Sequence, residues 1–237
     1  MKKLIVFLPF LFSIIFLSAQ NTIVHDANAE VRKVSSFHAI EVSTGIKLII
    51  KQGSEEAVAV SASTPDIRNR IKTEVENGKL KIYFDNHDWN NNTKKELKAY
   101  VSFKNLDMLK ASSGADASTD GSINVSSLSI DLSSGAGFDG MVTATNLDIE
   151  QSSGSNMQIK GKVSDLNITS SSGSDFNGYE LVSETCKANA SSGSDIEITV
   201  NKELQAAASS GGDINYKGNG VITNISNSSG GKIKKQG

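Results

Sequence analysis

The stretch SSGSDF, residues 171–176, recurs as SSGSDI at residues 191–196 and as SSGGDI at residues 209–214. It belongs to a set of seven Ser-Ser-Gly triplets whose glycines lie 18–21 residues apart: Gly114, Gly135, Gly154, Gly173, Gly193, Gly211 and Gly230. A period of this length is typical of a solenoid, in which each repeat is one coil stacked on its neighbours. The triplet is either a repeated chemical site or an architectural corner, and the flanking residues discriminate between them.

The flanks of each triplet carry apolar residues at fixed offsets. Three residues after the glycine stand Ala117, Phe138, Met157, Phe176, Ile196, Ile214 and Ile233, and five residues before it stand Leu109, Ile130, Ile149, Ile168, Ala188, Ala206 and Ile225. Position −7 is also apolar in five repeats and is interrupted by Asp107 and Thr223. Alternation with a period of two is typical of strands. The pattern predicts an all-β fold: a β-solenoid of ~19-residue coils stacked in parallel about 4.8 Å apart.

Each coil is predicted to contain a strand of about five residues, a Ser-Ser-Gly corner, a short second strand and a variable return. A sharp corner needs one residue at positive φ, which glycine adopts at little cost. The serine hydroxyls are expected to bond the backbone at the corner and to form ladders between coils. The triplet is therefore interpreted as architecture.

The first half of the chain is less regular but related. In FHAIEVSTGIKLIIKQG, residues 37–53, Ile40, Val42 and Leu48 have the repeat's spacing about Thr44-Gly45, which we interpret as an early corner. Thr64-Pro65 is a helix N-terminal signal, and Asn77-Gly78 is the favoured pair for a type I′ hairpin. The sequence thus predicts a strand at 57–63, a short helix to residue 71, a hairpin over 71–84, a polar loop at 87–96 and a strand at 97–103.

The N-terminal segment has the features of a secretory signal peptide, predicted at residues 1–19. Lys2 and Lys3 precede an apolar run from Leu4 to Leu17, which is too short for a comfortable membrane span. No cysteine lies at the junction near Ala19, so we expect no lipoprotein anchor. The chain is expected to be exported to the periplasm, the cell surface or the medium, with no stable membrane span after cleavage.

The charge and the cysteine content exclude several classes. The formal net charge is −2, and removal of the two signal lysines leaves 22 basic and 26 acidic residues, a net charge of −4. We therefore expect no nucleic-acid partner. Cys186 is the single cysteine, so the fold has no internal disulfide. It takes a place filled by leucine in neighbouring repeats and is interpreted as a small core residue.

The chain resembles a known family. The segments FHAIEVSTGIKLIIKQG and TEVENGKLKIYF, followed by serial SSG turns, are similar to the auto-transporter adhesin head GIN domains common in Bacteroidetes. The resemblance covers residues 30–237, with an irregular half at 30–105 and the repeats at 106–237. It implies a right-handed parallel β-helix shaped like the pectin lyases but without their catalytic residues, and a role in adhesion. Since no stalk or coiled coil follows KIKKQG, we expect no self-anchoring.

The sequence contains no recognisable catalytic or cofactor motif. Arginine occurs only at Arg32, Arg68 and Arg70, and histidine only at His25, His38 and His87. We therefore predict a non-enzymatic module without cofactors that acts in cell adhesion or envelope interactions and binds carbohydrate or protein. The alternative is a degenerate or unrecognised carbohydrate-active enzyme on a pectin-lyase-like β-helix, which would need a groove with carboxylates about 5–10 Å apart. A periplasmic structural or stress-related module is a third hypothesis.

Three features could contribute to binding. Asp175, Asp195 and Asp213 would form a column of carboxylates, interpreted first as solvated turn residues and alternatively as a calcium site, to be tested by melting in calcium. Trp89, in a polar loop, is a candidate for contact with a carbohydrate or protein ligand. The C-terminal SSGGKIKKQG is expected to cap the solenoid with Lys232, Lys234 and Lys235, and self-association through an end or a face is a further hypothesis.

Overall fold

A computed structural model describes residues 26–87 and 94–237. The predicted signal peptide and Trp89 lie outside these ranges. Within them, the elements in chain order are β1 Glu30–Arg32, β2 Ala39–Val42, β3 Lys47–Gln52, β4 Ala57–Ser61, α1 Pro65–Asn69, β5 Ile71–Glu76, β6 Lys79–Phe84, β7 Lys98–Phe103, β8 Met108–Ala111, β9 Asp116–Leu132, β10 Gly137–Gln151, β11 Asn156–Ser170, β12 Asp175–Ala190, β13 Asp195–Ala208, β14 Asp213–Lys217, β15 Val221–Asn227 and β16 Lys232–Lys235.

The chain winds into a parallel β-solenoid, as predicted, with about seven turns. Strands β9 to β13 each pair in parallel with the next, so that residues at the same place in successive coils lie side by side. Phe138, for example, is in register with Ala117 on one side and with Met157 on the other. This register brings the predicted apolar positions into continuous columns.

The apolar columns form the core of the solenoid. The +3 column extends beyond the repeats, because Leu48 pairs with Ala117 on one side and Ala99 on the other. The −5 column likewise extends through Ile40, which pairs with Leu109 and Leu80. Most column residues are fully buried, including Ile130, which has no exposed surface. Burial of a side chain of this size contributes about 1.5–3 kcal/mol, so the stacked columns are the main source of stability.

The corner differs from the prediction because two residues have positive φ, not one. At the corner of residues 171–174, Ser172 has φ 55° and Gly173 has φ 67°, and the Ser174 amide donates to the Ser171 carbonyl at 3.3 Å. These are the features of a type I′ turn. A Cβ atom on Gly173 would meet nothing within 4 Å, so the need for glycine is one of local backbone conformation, not of crowding.

Neighbouring corners are joined by hydrogen bonds. The Gly173 amide donates to the Ser192 carbonyl of the next corner at 3.1 Å, and the Gly193 amide donates to the Ser210 carbonyl at 3.2 Å. The same contact joins Gly45 to Ser113 at 3.1 Å. Thr44 and Gly45 also have positive φ, at 59° and 70°, so the predicted early corner is present.

Buried serines, not those of the exposed triplet, supply the hydroxyl contacts below the corner. Ser174 Oγ donates to the Ser171 carbonyl at 2.8 Å, and Ser194 Oγ donates to the Ser170 carbonyl at 2.8 Å. Ser170 and Ser174 also share a hydrogen bond of 2.8 Å between their hydroxyls. The hydroxyl contacts therefore come from residues one place after the glycine, on the inner side of the turn, where Ser174 and Ser194 bond backbone carbonyls and Ser174 also bonds Ser170.

The predicted variable returns are parts of long bent strands. Strands β9 to β13 run for 14–17 residues each, from one corner to the next. The bends coincide with register shifts, such as the one between Asp139 and Met141. Gly161, with φ 125°, lies at such a bend, and a Cβ atom there would be 2.0 Å from the Val142 carbonyl oxygen. Two backbones approach this closely only because the residue is glycine.

The first half closes one end of the solenoid with antiparallel strands. Strand β4 pairs antiparallel with β1 and β7, and β5 pairs antiparallel with β6 across the predicted hairpin turn at Asn77-Gly78. The predicted short helix is α1, in which the Thr64 side chain accepts a hydrogen bond from the Ile67 amide. No helix in residues 26–87 or 94–237 is long and apolar enough to cross a membrane.

The C-terminal segment covers only part of the end of the solenoid, since β16 pairs with β14 and Ile233 packs against the core. Strand β15 is exposed along its whole length, and Ile225 in the −5 column is 46% exposed. Ile222, not Thr223, pairs with Leu204 because the register shifts in this last coil. The lysines of β16 do not cover these side chains, and Lys232 instead lies 3.9 Å from Asp213. The last coil therefore leaves apolar side chains open to solvent.

We predict that glycines at corners and at bends respond differently to substitution. Gly173→Ala places a side chain in free space at positive φ and should cost about 1–2 kcal/mol of unfolding free energy. Gly161→Ala forces two paired strands apart and should cost about 3 kcal/mol or more. Urea unfolding of both variants measures the difference, and equal losses would contradict the distinction.

Cys186 provides a second test of the core. The side chain is 3% exposed, and burial raises the pKa of its thiol to about 12. We expect no reaction with a thiol reagent in the native protein and full reaction in denaturant, because the thiolate is the reactive form. Stoichiometric labelling of the folded chain would refute the core assignment.

Candidate functional site

A groove runs along the outer face of the coils that precede the corners. Strand residues on either side of the buried −7 column point outward, at positions −8 and −6 relative to the corner glycine. They are Asn146 and Asp148, Asp165 and Asn167, Thr185 and Lys187, and Glu203 and Gln205. Together with Ser127 they line a volume of about 540 Å³. Four successive coils thus each contribute one pair of polar side chains.

Hydrogen bonds along the groove orient its carboxylates. Thr185 Oγ1 donates to Asp165 Oδ1 at 2.6 Å, and Asn167 Nδ2 donates to Asp148 Oδ1 at 3.2 Å. Both contacts join neighbouring coils, because Asp165 is in register with Thr185 and Asp148 is in register with Asn167. These hydrogen bonds therefore restrict the conformations of the two carboxylates, whose oxygens stay available as hydrogen-bond acceptors.

The last carboxylate of the groove is held in the same way. Thr223 Oγ1 donates to Glu203 Oε1 at 2.8 Å, and Gln205 Nε2 donates to the same oxygen at 3.2 Å. These two hydrogen bonds lower the pKa of Glu203, and the one from Thr223 has the larger effect. Glu203 is accordingly a charged acceptor at neutral pH.

A second groove of about 620 Å³ continues the first toward the N-terminal half. The two share Ser127, and the second reaches Thr143 and Thr145 on one side and His38 and Asp107 on the other. The two polar grooves together consequently extend over most of the solenoid. The second groove is lined by hydroxyl, amide and carboxylate groups, with Leu106, Val125 and Ala144 as apolar contacts.

The second groove contains a histidine–aspartate pair at its N-terminal end. His38 Nδ1 lies 2.8 Å from Asp107 Oδ2, and both side chains are more than half exposed. The opposite nitrogen, Nε2, packs on Gly78, where a Cβ atom would be only 2.5 Å away. In the described part of the chain no serine hydroxyl contacts this ring, so the pair lacks the nucleophile of a Ser-His-Asp triad.

The aspartate column has the register expected from the sequence. Asp175 pairs with Asp195, and Asp195 pairs with Asp213. The pKa of Asp195 is raised, mainly by burial and to a smaller extent by the negative charges of Asp175 and Asp213. Lys232 lies 3.9 Å from Asp213 and supplies a positive charge at the end of the column. Residues 26–87 and 94–237 contain no group of three His, Cys, Asp or Glu side chains placed to hold a metal ion.

Sequence reasoning overlooked the groove, although its signal was present. Positions −8 and −6 are polar in the four central coils, but no residue type recurs there as glycine does at the corner. Only the parallel register shows that Asn146 and Asp165, or Asn167 and Lys187, are neighbours. Trp89, the predicted partner contact, lies outside the described residues.

Comparisons with known proteins agree on the fold. A family model described as "Putative auto-transporter adhesin, head GIN domain" matches residues 36–220, and no curated protein sequence matches the chain. The solved structure of a "putative adhesin" from Bacteroides fragilis is 18% identical, with a TM-score of 0.79 over 88% of this chain and 96% of that one.

Two structures from Parabacteroides have the same fold. A "putative adhesin" from P. merdae is 15% identical, with a TM-score of 0.68 over 88% of this chain and 95% of that one. A "Putative lipid binding protein" from P. distasonis is 19% identical, with a TM-score of 0.63 over 90% and 98% of the two chains. At these identities the likeness concerns the fold alone.

The stacked aspartates generate a pH-dependent prediction. The pKa of Asp195 is raised in the folded state. Above that pKa the charged carboxylate therefore lowers the free energy of unfolding, and this loss disappears once the group is protonated. Asp195→Asn should therefore raise Tm at neutral pH and leave it unchanged near pH 3, with a small effect because the side chain is exposed and screened by salt. A variant less stable than wild type at neutral pH would contradict this account.

Proposed function

Because the chain belongs to the head GIN domain family of "putative auto-transporter adhesin" proteins, we propose that it is an exported, non-enzymatic interaction module that binds carbohydrate through the polar groove. The family supports an adhesin-like role and export.

The observation that carries the proposal is the row of oriented polar pairs in the groove. Sugar hydroxyls both donate and accept hydrogen bonds, and they are matched by carboxylates, amides and hydroxyls fixed in place. The groove offers all three, and its Asp165 and Asp148 acceptors are already oriented by Thr185 and Asn167. Such preorganisation lowers the entropic cost of binding.

A carbohydrate-active enzyme is the second candidate, favoured by one observation. Asp165 pairs in register with Asn146, so Asp148 is its diagonal neighbour on the adjacent strand, and the backbones of diagonal neighbours are about 7–8 Å apart. Side chains from two such positions can bring their carboxyl groups to the separation that glycosidases use. Release of reducing ends from a bound glycan, abolished by Asp148→Asn or Asp165→Asn, would establish the enzyme over the adhesin.

Glycan-array binding tests the proposed function. We expect the mature chain, displayed multivalently, to retain glycans, and Asn167→Ala and Thr185→Ala to reduce the signal. Asn177→Ala is the matched control, because Asn177 is equally exposed but lies beyond the corner, in register with Gln158 and Glu197. Failure to bind any glycan, or equal losses in the groove and control variants, would overturn the proposal.

Trp89 is proposed as an additional contact, and Trp89→Ala belongs in the same experiment. An aromatic side chain can stack on a sugar ring through its face. We expect this variant to weaken the retention of the same glycans that the groove variants lose. Unchanged retention would remove Trp89 from the binding surface.

A further inference from the structure

The groove is long along the solenoid axis and narrow across it. Each coil contributes two outward residues, which span about 7 Å along the strand, whereas successive coils are about 4.8 Å apart. Five coils, from the one with Ser127 to the one with Glu203 and Gln205, line it, so its length is about 19 Å. A ligand that used the whole groove would be a linear chain perpendicular to the strands.

The spacing of the polar pairs favours a chain of rings over a peptide. An extended peptide advances about 3.3–3.4 Å per residue and would fall out of register with coils about 4.8 Å apart within a few residues. The advance per sugar ring in an extended glycan is close to the advance per coil. Each ring of such a chain would therefore meet an equivalent pair, such as Asp165 and Asn167 or Thr185 and Lys187.

The charge of the groove selects against acidic chains. Among the residues that the structure describes, the lining of the first groove contains the carboxylates Asp148, Asp165 and Glu203 and one cation, Lys187, a net charge of −2. The sequence has no arginine after Arg70, and arginine is the residue that recognises carboxylates and sulfates in a bidentate manner. A uronic-acid chain would be repelled, whereas amide and hydroxyl groups suit uncharged rings.

We propose that the ligand is an uncharged linear glycan lying parallel to the solenoid axis with about one sugar ring per coil. This inference rests on the proposed carbohydrate-binding function and specifies its ligand. The lining of both grooves, as far as the structure describes it, includes no tyrosine, tryptophan or phenylalanine. Hydrogen bonds therefore carry the contacts that these linings make, and multivalent display would raise the avidity of adhesion.

Titration with neutral oligosaccharides of increasing length tests the inference. NMR titration of the mature chain with gluco-, xylo- and manno-oligosaccharides should show affinity rising with each added ring and levelling off at about four to five rings, on the coil spacing of about 4.8 Å. Backbone amide shifts should map to residues 146–148, 165–167, 185–187 and 203–205. Asn167→Ala should weaken binding about 2- to 12-fold, the value of one hydrogen bond, and Asn177→Ala should not.

The outcomes separate the inference from the function on which it rests. Oligogalacturonates or amino-sugar oligomers that bind more tightly than neutral chains, in a salt-dependent manner, would overturn the uncharged-ligand inference while retaining carbohydrate binding. A plateau at one or two rings would overturn the axial orientation. Absence of binding by every neutral, acidic and amino-bearing oligomer would overturn the proposed function as well.

Discussion

The hydrogen bond between successive corners is the contact on which the rest of the structure depends. At each corner the glycine amide donates to the carbonyl of the second serine in the next corner, at 3.0–3.2 Å from Gly45 to Gly211. At these corners both the glycine and the residue before it have positive φ. The hydrogen bond pairs backbone groups that a turn would otherwise leave to solvent, and it places every coil in register with the next.

Because every coil starts from the same corner, a residue's distance from the glycine determines where it lies. Positions −5 and +3 point inward and stack as apolar columns, while −8 and −6 point outward and stack as the polar groove. One repeat therefore produces both the stabilising core and the candidate binding surface. The groove can vary in sequence, and so in specificity, without any change in the columns that hold the fold.

Much of this architecture could be predicted from the sequence, since the period and the columns are local signals. The second positive-φ residue could not, because a serine such as Ser172 rarely adopts that conformation outside such a turn. The return was predicted only as a variable segment, because the strand pairing that continues through the bend at Gly161 depends on the neighbouring coils. The contact of His38 with Asp107 joins residues 69 positions apart, which no local pattern indicates.

Native-state hydrogen exchange at the corners tests the role of the corner hydrogen bond most directly. The amides of Gly154, Gly173 and Gly193 are in exposed residues but donate to the next corner, so we expect protection comparable to that of the buried strands. The adjacent amides of Ser153 and Ser172, for which the described chain offers no backbone acceptor, should exchange rapidly. Equally rapid exchange at the corner glycines and their serines would contradict the account.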